Sequence, residues 1–219
     1  MAIITLVSEK GGAGKSTLAC HLAAEFQARG YRVLLVDADP QGSAVTWAEV
    51  AAEHENAVPD VVAVGDQIRQ TLPGLAADRD LVLVDTAGRL GKRGMGALMV
   101  SDLALVPVQP SPTDFWGLTS TIDIVRTVQE VRPLHAAIAI NGKERNSLNK
   151  GVRDGLAESG MQVLKSELGR RVDFAKAMAT GQGVTGYAPK TTAALELSAL
   201  ADELISLLSA EEPSHAEAV

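Results

Sequence analysis

Near the start of the chain, Ser8-Glu9-Lys10-Gly11-Gly12-Ala13-Gly14-Lys15-Ser16-Thr17 joins two segments of different periodicity. Residues 3–8 are apolar and β-branched and read as a strand; residues 15–29 carry a helical pattern that stops at Gly30. A strand that feeds a helix through such a turn is the setting of a phosphate-binding loop. Three glycines let consecutive backbone N–H groups close around an anion with no Cβ in the way. The helix N-terminus behind them adds partial positive charge. In that geometry Lys15 reaches the β- and γ-phosphates, the Ser16 hydroxyl ligates Mg²⁺ and Thr17 touches the α-phosphate. A ligand-free glycine turn is the plain alternative, but this residue pattern arises by chance in only roughly one chain in 10⁴.

The remainder alternates in the same way. Residues 32–37, 61–64, 81–85, 103–108, 136–140 and 162–166 read as strands, and 43–52, 66–75, 113–131, 146–159 and 191–209 as helices. Continuous apolar strands separated by helices imply a parallel sheet covered on both faces, an α/β doubly wound fold. A core of Ala, Val, Leu and Ile agrees with 46% hydrophobic but only 3% aromatic residues. Residues 1–209 are expected to form one domain, and the acidic, small and polar residues 210–219 a disordered tail.

Two strands end in carboxylates, at the sheet edge where open α/β folds place ligand chemistry. Val36-Asp37-Ala38-Asp39-Pro40 ends the second; its acids either meet a cation or a water, or cap the helix that starts near Ser43. Leu81-Val82-Leu83-Val84-Asp85 ends the fourth, and four apolar residues before an acid is the shape that holds a carboxylate towards magnesium. Residues 106–116 form a proline-rich turn with Thr113 or Asp114 as helix N-cap. Asn141, just past a strand, is either an adenine contact or a turn residue.

The loop departs from the ordinary P-loop pattern: Glu9 stands at the usual first glycine, and a second lysine, Lys10, follows it. Here the chain resembles the deviant-Walker ATPases of the ParA/MinD superfamily. The resemblance runs from Met1 to about Leu208 and is nearest the short ParA proteins without an N-terminal helix-turn-helix domain. It implies a P-loop ATPase that binds Mg–ATP and hydrolyses it slowly until a partner stimulates it. It implies a homodimer formed on ATP, with Lys10 crossing to the partner's nucleotide, and the 106–116 loop at the dimer interface as an alternative to plain turn chemistry. Gly11, Gly12, Ala13 and Gly14 would cradle the phosphates, with Lys10, Lys15 and Asp39 catalytic, Asp39 by orienting the attacking water. Asp37 would help hold hydrated Mg²⁺ with Ser16 and Asp85, and the Gly88 backbone would approach the γ-phosphate. The family also implies non-specific DNA binding and a centromere-binding or cargo-adaptor partner, in plasmid or chromosome partition or in positioning a protein cargo, with MinD-like membrane-associated positioning as a further alternative.

Charge bears on the DNA question separately. Net charge is −7, yet residues 141–190 hold nine basic side chains against five acidic ones. A basic final third is what contact with a nucleic-acid backbone needs, although basic residues scattered over solvated helices give the same count. Arg170, Arg171 and Lys176 are the expected DNA contacts. Cys20, the one cysteine, reads as a buried thiol; with no second cysteine there is no disulfide and no iron–sulfur cluster. The N-terminus lacks the pattern of a signal peptide, no apolar run approaches ~20 residues, and the acidic C-terminal end would be repelled by anionic lipid. A cytoplasmic, nucleoid-associated protein without membrane contact is the expectation.

Overall fold

Strands and helices alternate from the first residues: β1 (Ala2–Leu6), α1 (Lys15–Ala28), β2 (Val33–Asp37), α2 (Ser43–Glu53), β3 (Asp60–Ala63), α3 (Ile68–Ala76), β4 (Leu81–Asp85) and α4 (Lys92–Leu98). Then come β5 (Leu103–Val108), α5 (Pro112–Gln129), β6 (His135–Lys143), α6 (Val152–Ala157), β7 (Gln162–Gly169), α7 (Val172–Ala179), α8 (Val184–Tyr187) and α9 (Thr192–Ser209). The structure, a computed structural model, describes residues 1–144 and 151–209, with the backbone alone for 112–116. The tail expected at 210–219 and the first residues of the helix expected from 146 lie outside the described residues.

The strands form one seven-stranded sheet in the order β3-β2-β4-β1-β5-β6-β7, each pair parallel. Successive strand residues face opposite sides, and both sides are apolar, so two cores form. On one face Ile4, Leu6, Leu35, Leu83 and Leu105 pack against α1, α2, α7, α8 and α9, with Phe26 and Leu197 fully buried. On the other, Leu34, Val36, Val82 and Val84 meet Ile68 and Leu72 of α3, while Val106, Ile138 and Ile140 meet Leu118, Ile122 and Val125 of α5. The doubly wound expectation therefore holds. Cys20 is buried, as expected.

Register places the chemistry. Leu6, the last residue of β1, pairs with Asp85 of β4, and Asp85 pairs with Asp37 of β2. The glycine loop and both strand-end carboxylates thus share one edge of the sheet. Polar clips fix β1 from the other side: Asp102 accepts the Ile3 N–H at 2.8 Å, and the Thr5 and Ser101 hydroxyls bond in the buried interior.

Several elements differ from the sequence expectation. α4, α7 and α8 are additional, β6 and β7 run three residues further, and β3 begins one residue earlier. α5 begins at Pro112, so Thr113 and Asp114 lie within its first turn rather than at its cap; their side chains are outside the described residues. Proline suits a first helical position, where no N–H is required.

Candidate nucleotide site

The loop after β1 turns into α1 at Gly14, which caps the helix in the left-handed conformation (φ 88°) with no side-chain cap bond. The first-turn N–H groups of α1 are therefore left for an external acceptor. A Cβ on Gly14 would also collide with the Asn141 amide. Two carboxamides clamp the loop from the neighbouring strand ends: Gln109 Nε2 donates to the Gly12 carbonyl at 2.7 Å and Asn141 Nδ2 to the Ala13 carbonyl at 2.8 Å.

Lys15 is buried, and its ammonium folds back onto the carbonyls of Ser8 and Lys10, each at 3.4 Å. Burial lowers its pKa, while Asp85, Asp39 and Glu9 pull the other way. Lys10 leaves the loop half-exposed, its stem against α5, where a Cβ on Gly117 would lie 3.5 Å from Lys10 Cβ.

The three acids differ sharply. Asp85 is fully buried and neither of its oxygens has a hydrogen-bond partner. Burial pushes its pKa up to about 7; Asp37 and Asp39 add to the rise, and Ser16 and Lys15 oppose it. The Ser16 hydroxyl is thus near enough to act on Asp85 without standing in hydrogen-bonding geometry. An orphaned, buried carboxylate is costly unless a cation answers it. Among the described residues no three His, Cys, Asp or Glu gather into a metal cluster. An ion at Asp85 must complete its shell from Ser16, phosphate oxygens and water, which is how Mg²⁺ sits beside nucleotides.

Asp37 is also buried, but both of its oxygens accept backbone N–H groups. Its Oδ2 accepts the N–H groups of Ala44 and Val45 at 2.9 and 3.1 Å, and its Oδ1 accepts that of Asp39 at 3.1 Å. In this conformation it caps α2 through Oδ2, the alternative the sequence left open, while Oδ1 with its single hydrogen bond keeps a lone pair for the expected ion or its water. Asp39 is half-exposed, with Oδ1 accepting the Gln41 N–H at 3.0 Å. Gly88 lies directly on the loop: a Cβ there would come within 2.9 Å of Gly11 Cα.

Beside the loop opens a cleft of about 570 Å³, lined by Gly14, Thr17, Leu18, His21, Asn141, Leu168, Arg170, Arg171, Val172, Phe174 and Met178. It has the size and the apolar floor of a small-molecule pocket. Arg170 and Arg171 therefore sit at its wall, each already paired: Arg170 with Glu144 at 2.7 Å, Arg171 with Glu196 at 2.6 Å. Lys143 and Arg153 share Glu167, so four of the basic residues in this stretch are already held in ion pairs. Lys176 is exposed on α7; Arg145 and Lys150 lie outside the described residues.

A family match covers the residues that build the loop, the buried acid and the cleft. Residues 4–185 fit the CobQ/CobB/MinD/ParA nucleotide binding domain. The chain belongs to this family. Among its relatives, the maintenance of carboxysome distribution protein A of Halothiobacillus neapolitanus is 31% identical over 207 residues, covering 92% of this chain and 95% of the relative. The chromosome partitioning protein ParA of Caulobacter vibrioides is 28% identical over 255 residues, with 94% of each chain covered. In structure, the septum site-determining protein MinD of Pyrococcus horikoshii, solved with Mg-ADP, superposes with a TM-score of 0.74 at 19% identity, covering 95% of this chain and 98% of that one.

Within this nucleotide-binding family, the loop residues and Asp85 are where the sequence anticipated them. Three contributors escaped it. Gln109 lies within the proline-rich turn at 106–116, where nothing in the sequence marks it as a loop contact. His21 lies four residues after Thr17, on the same face of α1, and that spacing could have revealed it. Glu9 stands out in the sequence only as a departure from the glycine pattern.

Proposed function

We propose that this chain is an ATP-driven positioning switch, a partition-type ATPase that distributes a cargo along DNA. The observation that carries this is Asp85, an unanswered buried carboxylate beside Lys15 and Ser16 at the mouth of the glycine loop. Asp85 and Ser16 would hold Mg²⁺, directly or through water, and the ion would supply charge neutralisation to the nucleotide's phosphates. Lys15 exchanges the Ser8 and Lys10 carbonyls for phosphate oxygens, and Asp39 orients the attacking water. Asn141, which donates one Nδ2 hydrogen to the Ala13 carbonyl and lines the cleft, is the adenine contact.

Lys10, half-exposed at the loop, reaches the nucleotide of a second copy, and the resulting homodimer binds duplex DNA through phosphate contacts. Lys176 is an exposed cation for that face; Arg170 and Arg171 contribute only by giving up Glu144 and Glu196. A partner protein that carries the cargo stimulates hydrolysis. The carboxysome-distribution relative, at 31% identity, favours a protein assembly as cargo, and the partitioning relative favours a chromosome or plasmid. A membrane track is disfavoured: α9 has no basic residue in its last turn to meet anionic lipid.

The test is duplex-DNA binding with ATP, ADP or no nucleotide across a salt series, alongside sizing of Lys10→Ala. We expect binding with ATP alone, weakening steeply as salt rises, and no ATP-dependent dimer for Lys10→Ala. DNA binding that ignores nucleotide, or a Lys10→Ala dimer equal to wild type, overturns the reading.

A further inference from the structure

The side chain of Glu9 has no part in the scheme above. Its Oε1 accepts the backbone N–H of Leu90 at 2.6 Å, a bond from the phosphate loop to the segment that leaves β4. A carboxylate acceptor at that distance makes a strong, charge-assisted bond. The Glu9 main chain is secured separately: its N–H donates to Thr121 Oγ1 of α5 at 3.0 Å, and Thr121 Oγ1 donates to the Gly117 carbonyl at 3.1 Å.

Leu90 lies in a tight turn whose Gly91 N–H closes onto the Arg89 carbonyl at 2.8 Å. Two residues earlier, Gly88 rests on Gly11 with no room for a Cβ. Close packing of that kind resists approach but does little to prevent separation. The hydrogen bond to Glu9 resists separation. Glycine at position 9, as in the ordinary loop, could make no such bond.

We propose that Glu9 is a positioning residue: its carboxylate pins the Gly88–Gly91 turn to the phosphate loop and so sets the Gly88 N–H where a terminal phosphate arrives. This rests on the nucleotide-switch reading for its consequence, though not for the contact itself.

Glu9→Ala and Glu9→Gln separate the bond from the charge, because glutamine keeps a carbonyl acceptor of the same reach. Amide hydrogen exchange over residues 86–91 of the nucleotide-free protein is expected to quicken about tenfold or more in Glu9→Ala and to stay near wild type in Glu9→Gln. ATP turnover should fall by about the same factor in Glu9→Ala and recover in Glu9→Gln. ATP affinity should hold in both, since Lys15 and the glycines keep their places and Glu9 is the smallest of the three charges acting on Lys15. Unchanged exchange in Glu9→Ala overturns the proposal. So does a Glu9→Gln variant as impaired as the alanine, which would make charge the cause, or an affinity loss that accounts for the whole turnover defect. If the wild-type protein hydrolyses no ATP, the switch reading fails on its own and the exchange measurement still decides the role of Glu9.

Discussion

His21 is fully buried on α1, yet both ring nitrogens are bonded: Nδ1 accepts the Val184 N–H at 3.1 Å, which leaves Nε2 to donate to the Phe174 carbonyl at 3.2 Å. Only the neutral ring can do both. Burial lowers its pKa to about 4, against the upward pull of the Phe174 carbonyl. A depressed pKa means the unfolded chain binds the proton more readily, so the stabilisation is complete above pH ~6.5 and drains away as pH falls towards 4. The loss attributable to His21 is up to about 3 kcal/mol. Urea melts at pH 7.5 and 5 should show a stability gap that shrinks in His21→Gln; an equal gap would acquit the ring. Residues of this kind are hard to see in a sequence. The glycine loop is legible because its chemistry is complete within ten neighbours. The bonds of His21 go to residues over 150 positions away, and Asp37 becomes a helix cap only because the chain folds back seven residues later.

Legibility at the level of elements follows length and period. β2, β4 and β5 are unbroken apolar runs and could be read almost to the residue, whereas α4 contains Gly94 and Gly96, and α8 spans four residues. Neither presents a repeat long enough to register. The eight residues of α7 are likewise too few to register, so the sequence offers Arg170 and Arg171 as DNA contacts and gives no sign that they border a cleft. The connection after β4 belongs to the same scale. In Gly88→Ala the new Cβ meets Gly11 Cα at 2.9 Å and Gly11 N at 3.1 Å, and both are backbone atoms that cannot step aside. The connection must lift from the loop. We expect an unchanged melting temperature within a few degrees and a turnover loss on the order of 10²-fold, the cost of an ångström-scale misplacement. Wild-type turnover would show that the close approach has no role in the reaction.

For the molecule as a whole, one site links the two halves of the sheet: β2 and β4 supply Asp37 and Asp85, while β5 and β6 lead to Gln109 and Asn141. A ligand bound there stabilises the entire fold. Mg–ATP at a hundredfold excess over its dissociation constant contributes about 2.7 kcal/mol, or roughly 5–10 °C in melting temperature for a chain of this size. Calorimetry should show that rise, and EDTA should remove much of it; an EDTA-insensitive shift would deny Asp85 its ion. The place of β1 has a different consequence, for synthesis. Its two neighbours are β4 and β5, so Ala2–Leu6 leaves the ribosome with no strand to pair with until residue 85 has been made. At 5–20 residues per second that interval is roughly 4–16 s. For that time an apolar segment meant for the centre of the sheet has only solvent or a chaperone to lie against.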